Sequence, residues 1–107
     1  MKISLEDLTP IDIVNVKNNI DSLKIKEFIN NDWKVEKSII EPNTSTGKHV
    51  QIKNEYIYVV KGQAKIITEN EEEIVNKDEI HFSPLGSTQE VFNNKNEELV
   101  ILNIVVE

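Results

Sequence analysis

From Trp33 to the C-terminus, apolar and polar positions alternate in short runs with a period near two, the pattern of strands with one buried face. The runs predict strands over 33–39, 49–52, 55–60, 64–68, 73–75, 79–82, 90–92 and 99–106. Turn-forming residues separate them, among them Pro42-Asn43, Lys61-Gly62, Glu69-Asn70 and the polar stretch 93–96. Many short strands at regular spacing, with no helical pattern between them, predict an antiparallel sandwich or barrel. The first 30 residues are less regular. Ser4 can cap a single helical turn over 4–7. Segment 19–30 carries both a loose helical face, Ile20, Leu23 and Phe28, and a strand alternation, Leu23, Ile25 and Ile29. The alternation favours a strand over 24–29.

At 107 residues the chain has room for one hydrophobic core. The absence of cysteine excludes a disulfide framework and a thiolate metal site. No apolar run approaches the ~20 residues of a membrane span, and residues 1–10 lack the basic-then-apolar order of a secretory signal. The expectation is a cytoplasmic protein that does not engage the membrane. A net charge of −7, with every basic residue a dispersed Lys, argues against nucleic acid as a partner. Without Arg, the chain has no bidentate guanidinium to clamp a carboxylate or phosphate.

Two stretches carry candidate chemistry. The first sets Asn43, His49, Gln51, Glu55 and Gly62 in order; the second sets Asp78, Pro84, Gly86, Gln89 and Asn93. His49 and Gln51 are two apart on a strand and so leave one face. Glu55, past the Lys53-Asn54 turn, can reach that face from the neighbouring strand, with Ile57 and Val59 inward and Tyr56 and Tyr58 outward. The spacing of both stretches resembles the two motifs of the cupin superfamily. In that family the first runs Gly, five residues, His-x-His, three or four residues, Glu, six residues, Gly. The second runs Gly, five residues, Pro-x-Gly, two residues, His, three residues, Asn. The resemblance covers roughly 35–106. It implies an all-β double-stranded β-helix, a jelly-roll barrel over 32–107 with an N-terminal extension over 1–31 that packs on a partner barrel. It also implies a homodimer.

Departures from the family pattern matter. Asn43 and Asp78 stand where the family has glycines in turns; Asn and Asp tolerate positive φ best among other residues, so the turns are expected to survive. The family's metal positions hold His49, Gln51, Glu55 and Gln89, so two of three imidazoles have become amides. That ligand set would offer one divalent ion (Mn, Fe, Ni or Zn) a weak site. Three functions stay open. The barrel binds or senses a small polar molecule without catalysis. A metal-dependent enzyme of dioxygenase, isomerase or decarboxylase type uses the four positions. A metal-free isomerase uses His49, oriented by Glu55, as acid/base catalyst. The bland reading, His49 satisfying a buried network, is weaker at a barrel mouth. His81 lies outside the ligand positions and is expected at the surface or partly buried. Ser83 and Ser87 lack a partner that would make a nucleophile.

Overall fold

The computed structural model describes the backbone of residues 9–12, 23–29 and 33–106 and the side chains of 35–105. The helical turn expected over 4–7 lies outside these residues. Among the described residues eleven strands are present: β1 (Thr9–Asp12), β2 (Leu23–Ile29), β3 (Trp33–Ile40), β4 (Thr44–Ser45), β5 (His49–Val50), β6 (Asn54–Lys61), β7 (Gln63–Ile67), β8 (Glu72–Asn76), β9 (Ile80–Ser83), β10 (Thr88–Asn93) and β11 (Leu99–Val106). No helix among the described residues is long and apolar enough to cross a membrane.

The strands form two antiparallel sheets. One runs β1-β2-β3-β11-β6-β9; the other runs β4-β10-β7-β8, with β5 also pairing β10. From β3 onward the chain passes repeatedly from one sheet to the other, which wraps them into the expected jelly-roll barrel. The strand reading of 24–29 holds: β2 pairs with β3 of the same chain, Leu23 opposite Ile40 and Ile29 opposite Lys34.

Alternation fills the interior. Ile40, Ile57, Val59, Ala64, Ile66, Val75, Val91, Leu99 and Ile101 form one buried cluster between the sheets. Ile57, with no exposed surface, stabilises the fold by about 1.5–3 kcal/mol through burial alone. Asn93 closes the apolar region at one end, donating from Nδ2 to the Ile40 and Glu97 carbonyls at 3.0 and 2.7 Å.

Both turns that lack the family's glycine keep its conformation. Asn43 has φ 58° and Asp78 has φ 68°. Asp78 adds a further contact, accepting at 2.6 Å from the Tyr58 hydroxyl, and this bond raises the Tyr58 pKa.

The outer face of the six-stranded sheet is also apolar. Tyr56, Ile80 and Phe82 are 40, 59 and 46% exposed there, and the Tyr56 and Phe82 rings lie 4.9 Å apart. Leu102 and Ile104, opposite Tyr58 and Tyr56, continue that face across β11.

Candidate functional site

The site grows out of the inward positions at one end of the barrel. On the six-stranded sheet, Glu55 in β6 stands opposite Ser83 in β9, and Asn103 in β11 stands opposite Ile57. On the other sheet, Gln89 in β10 stands opposite His49 in β5. Glu55 and His49 therefore face each other from different sheets, not from neighbouring strands as the sequence suggested. The chain crosses between sheets at 51–53, which ends β5 after two residues. Gln51, just past β5, is buried and anchored by its backbone: its N–H donates to the Ser87 carbonyl and its carbonyl accepts from Gly86 N–H, both at 2.8 Å.

A continuous network ties these groups together. Ser38 Oγ donates to Asn103 Oδ1 at 2.8 Å. Asn103 Nδ2 donates to Glu55 Oε1 at 3.1 Å, and Gln89 Nε2 donates to the same oxygen at 3.4 Å. Gln89 Oε1 in turn accepts from Ser83 Oγ. Burial raises the Glu55 pKa above the ordinary 4.5, and Glu36 pushes the same way. The two amide donors and His49 oppose that rise.

His49 is oriented by the backbone, a correction to the expectation that Glu55 would hold it. Its Nδ1 lies 3.1 Å from the Gly47 carbonyl, which can only accept, so Nδ1 carries the proton. Nε2 is then an acceptor in the neutral ring, and Gln51 Nε2 approaches it at 3.5 Å.

All four sequence-predicted residues thus belong to one end of the barrel, His49 touching Gln51 and Gln89 touching Glu55. Sequence reasoning missed Ser38, Ser83 and Asn103. Asn103 had one legible signal: it interrupts an apolar run, Leu99 to Val106, at an inward position. His81 is a second correction. It is 6% exposed, because β9 turns Ile80 and Phe82 outward and His81 and Ser83 inward. A depression of about 480 Å³ lined by Lys48, Ile67, Thr68, Glu69, Thr88 and Glu90 is elsewhere. Thr88 and Glu90 alternate with the inward Gln89, so it opens on the outer face of the second sheet.

This arrangement can be tested against a bound transition metal. Among the described residues no three His, Cys, Asp or Glu side chains converge. The Gln89 amide spends both ends on Glu55 and Ser83, and the Gln51 amino group faces the His49 nitrogen that a metal would need. The donor set does not fit such an ion.

A model of the Cupin domain family (Cupin_2) matches residues 37–105. The chain belongs to the cupin family. No curated protein matches it. Among solved structures, the cupin barrel superposes on a Thermotoga maritima protein described as a predicted oxalate decarboxylase, with TM-score 0.84 and 17% identity over 99% of this chain and 98% of that one. AerE from Microcystis aeruginosa gives TM-score 0.81 and 17% identity over 94% of this chain, which spans only 46% of AerE. A Cupin 2 conserved barrel domain protein from Salinispora arenicola gives 0.74 and 16%, over all of this chain and 87% of that one. Likeness at these identities establishes the shared fold and leaves activity to the site itself.

Proposed function

We propose that this cupin binds a small polar organic molecule at the polar end of its barrel and serves as a binding or sensing module without a resident transition metal. The observation that carries this reading is the Glu55 carboxylate. Neutral amides of Asn103 and Gln89 hold it, and Gln89 stands at one of the positions where the family pattern sets an imidazole. Among the described residues both bonds end on Oε1, which leaves Oε2 for a ligand. Metal content by mass spectrometry tests the reading, on untagged protein purified without chelators and again after adding Mn, Fe, Ni and Zn. Metal-free protein throughout is expected. Near-stoichiometric uptake of one metal, lost in Glu55→Ala, would overturn it in favour of a metalloenzyme.

The description of the Thermotoga maritima protein suggests decarboxylation as an alternative. Oxalate is a dianion, and this chain has no Arg to hold it beside Glu55. A metal-free acid/base enzyme has more support. The Gly47 carbonyl fixes the His49 tautomer, so Nε2 carries the lone pair, beside the Gln51 amide. Turnover whose pH dependence vanishes in His49→Ala would establish that role.

We also propose that two copies pair through the outer face carrying Tyr56, Ile80 and Phe82, which covers apolar surface that a single chain leaves to water. A chain without cysteine and with net charge −7 suits the cytoplasm.

A further inference from the structure

Among the described side chains, one buried polar atom has no hydrogen-bond partner: Nε2 of His81. Its other ring nitrogen, Nδ1, lies 2.7 Å from Glu73 Oε1. An ionised carboxylate can only accept, so Nδ1 carries a proton, and in the neutral tautomer this leaves Nε2 with a lone pair. Glu73 keeps 44% of its side chain exposed and walls a surface groove of about 170 Å³ with Ile74, Val75, Glu79 and Ile80. The Nδ1 edge therefore faces the rim. The two ring nitrogens point in divergent directions, which turns the lone pair of Nε2 inward. His81 stands opposite Ile57 on the inner face, two residues before Ser83, the partner of Glu55. Two residues along a strand span about 7 Å, so His81 lies one row below the Glu55 cluster.

Buried polar atoms are nearly always paired, and an exception asks for an absent partner. Three groups around this interior are acceptors, and His49 Nε2 meets only the Gln51 amino group, at 3.5 Å. His81 Nε2 accepts; His49 Nε2 accepts, its proton being held on Nδ1 by Gly47; Glu55 accepts. No described Lys side chain projects from an inward strand position.

We propose that His81, fixed by Glu73, is a ligand-binding residue of the barrel, and that its ligand is a small donor-bearing molecule, an amino alcohol or polyol, rather than a carboxylate or phosphate. The proposal rests on the reading of the Glu55 end as a binding site. An ammonium or hydroxyl group would sit on Glu55, and a second hydroxyl would reach His81 Nε2.

The test is a titration of ¹⁵N-labelled protein, reading both nitrogens of both histidines in long-range ¹H–¹⁵N spectra, with serinol, glycerol and glycerate as a cationic, neutral and anionic trio. Serinol and glycerol are expected to shift His81 Nε2 away from its free lone-pair position, and glycerate to bind at least about tenfold more weakly than serinol. His81→Phe is expected to weaken serinol binding by about tenfold or more while leaving the protein at least as stable, because phenylalanine has no unpaired nitrogen to bury. A structural role alone would cost stability instead. The wild-type titration stands whether or not that variant folds. If His49 and Glu55 signals move while His81 Nε2 does not, the role of His81 is overturned and the binding site above it survives. Equal or tighter binding of glycerate overturns the ligand class. Silence at all three residues with every compound overturns both this inference and the binding-site reading beneath it.

Discussion

Asn103 Nδ2 donates to Glu55 Oε1 across 3.1 Å, linking two adjacent strands inside the barrel. Its direction is set from the other side. Ser38 donates to Asn103 Oδ1, which commits the amide oxygen and turns the amino group toward the carboxylate. Three strands of one sheet, β3, β11 and β6, thus cooperate to hold one partly buried acidic oxygen.

Replacing Asn103 by leucine keeps the branched shape and removes the donor. At neutral pH the variant is expected to lose about 1–3 kcal/mol, the cost of a buried group left short of a partner. Below the Glu55 pKa the carboxyl is neutral and the loss should shrink. Urea denaturation of both proteins at neutral and acid pH reads the difference. An equal loss at both would place the effect in packing, outside the bond to Glu55.

Glu55 itself gives stability a sign with pH. Its folded pKa lies above the ordinary 4.5, with burial the largest cause. The folded state therefore binds this proton more tightly than the unfolded chain, and stability falls as pH rises from 4.5 through the raised value. Glu55→Gln retains an amide oxygen that can accept from Asn103 and Gln89 but cannot ionise. It is expected to be more stable than the parent at neutral pH, with the advantage fading below the ordinary carboxylate range. A parent curve no steeper than the variant's across that window would contradict the burial argument.

Turn chemistry makes a paired prediction. Asn43 holds φ 58° where the side chain is exposed, while Gly62 holds φ 88° with an added Cβ only 3.0 Å from the Glu98 carbonyl oxygen. Asn43→Gly should be neutral or stabilising by up to about 1 kcal/mol, since glycine adopts this conformation without steric cost. Gly62→Ala should cost about 2 kcal/mol or more, combining left-handed strain with a backbone clash. Thermal unfolding of the two variants separates them in sign.

The sequence made the strands legible because one periodicity governed them from residue 33 onward, and it made Asn43 and Asp78 legible because few residues accept positive φ. Other features depended on long-range placement. Ser38 and Ser83 enter the Glu55 network only through pairing with distant strands, which no local spacing encodes. His81 was misjudged because alternation has two phases. Ile80 and Phe82 flank it, and a soluble sheet ordinarily turns such residues inward; here the outer face is apolar as well, and the histidine takes the interior. The Glu55–His49 relation was misplaced by the crossing between sheets at 51–53, where the polar segment read as a simple hairpin turn.

That apolar outer face yields a prediction about assembly. Phe82 is 46% exposed and packs its ring at a tilt against Tyr56, so a lysine in its place would put charge at the centre of the proposed contact between copies. Phe82→Lys is expected to give a monomer by light scattering at concentrations where the parent is a dimer. Its spectrum should stay folded, because the position faces away from the core. A parent that is already monomeric would remove the proposed pairing.

The strongest check on the convergence of the site is to restore what the family pattern lacks. Gln51→His combined with Gln89→His would set three imidazoles and Glu55 around one point. Gln51 already touches His49 at 3.5 Å and Gln89 touches Glu55 at 3.4 Å, so each new ring starts within reach of an existing ligand. Gln89 is 1% exposed, and a histidine there is only slightly larger than the glutamine and can still take the Ser83 proton on a ring nitrogen. Imidazole and carboxylate together suit Mn, Fe, Ni and Zn. The double variant should stay folded and bind one of these ions at least about a hundredfold more tightly than the parent, since each added neutral imidazole strengthens the site. Calorimetric titration measures the gain. A folded double variant with no gain would mean that the four side chains share an end of the barrel without sharing a point, and the ligand reading of Glu55 and His49 would have to be argued for each residue separately.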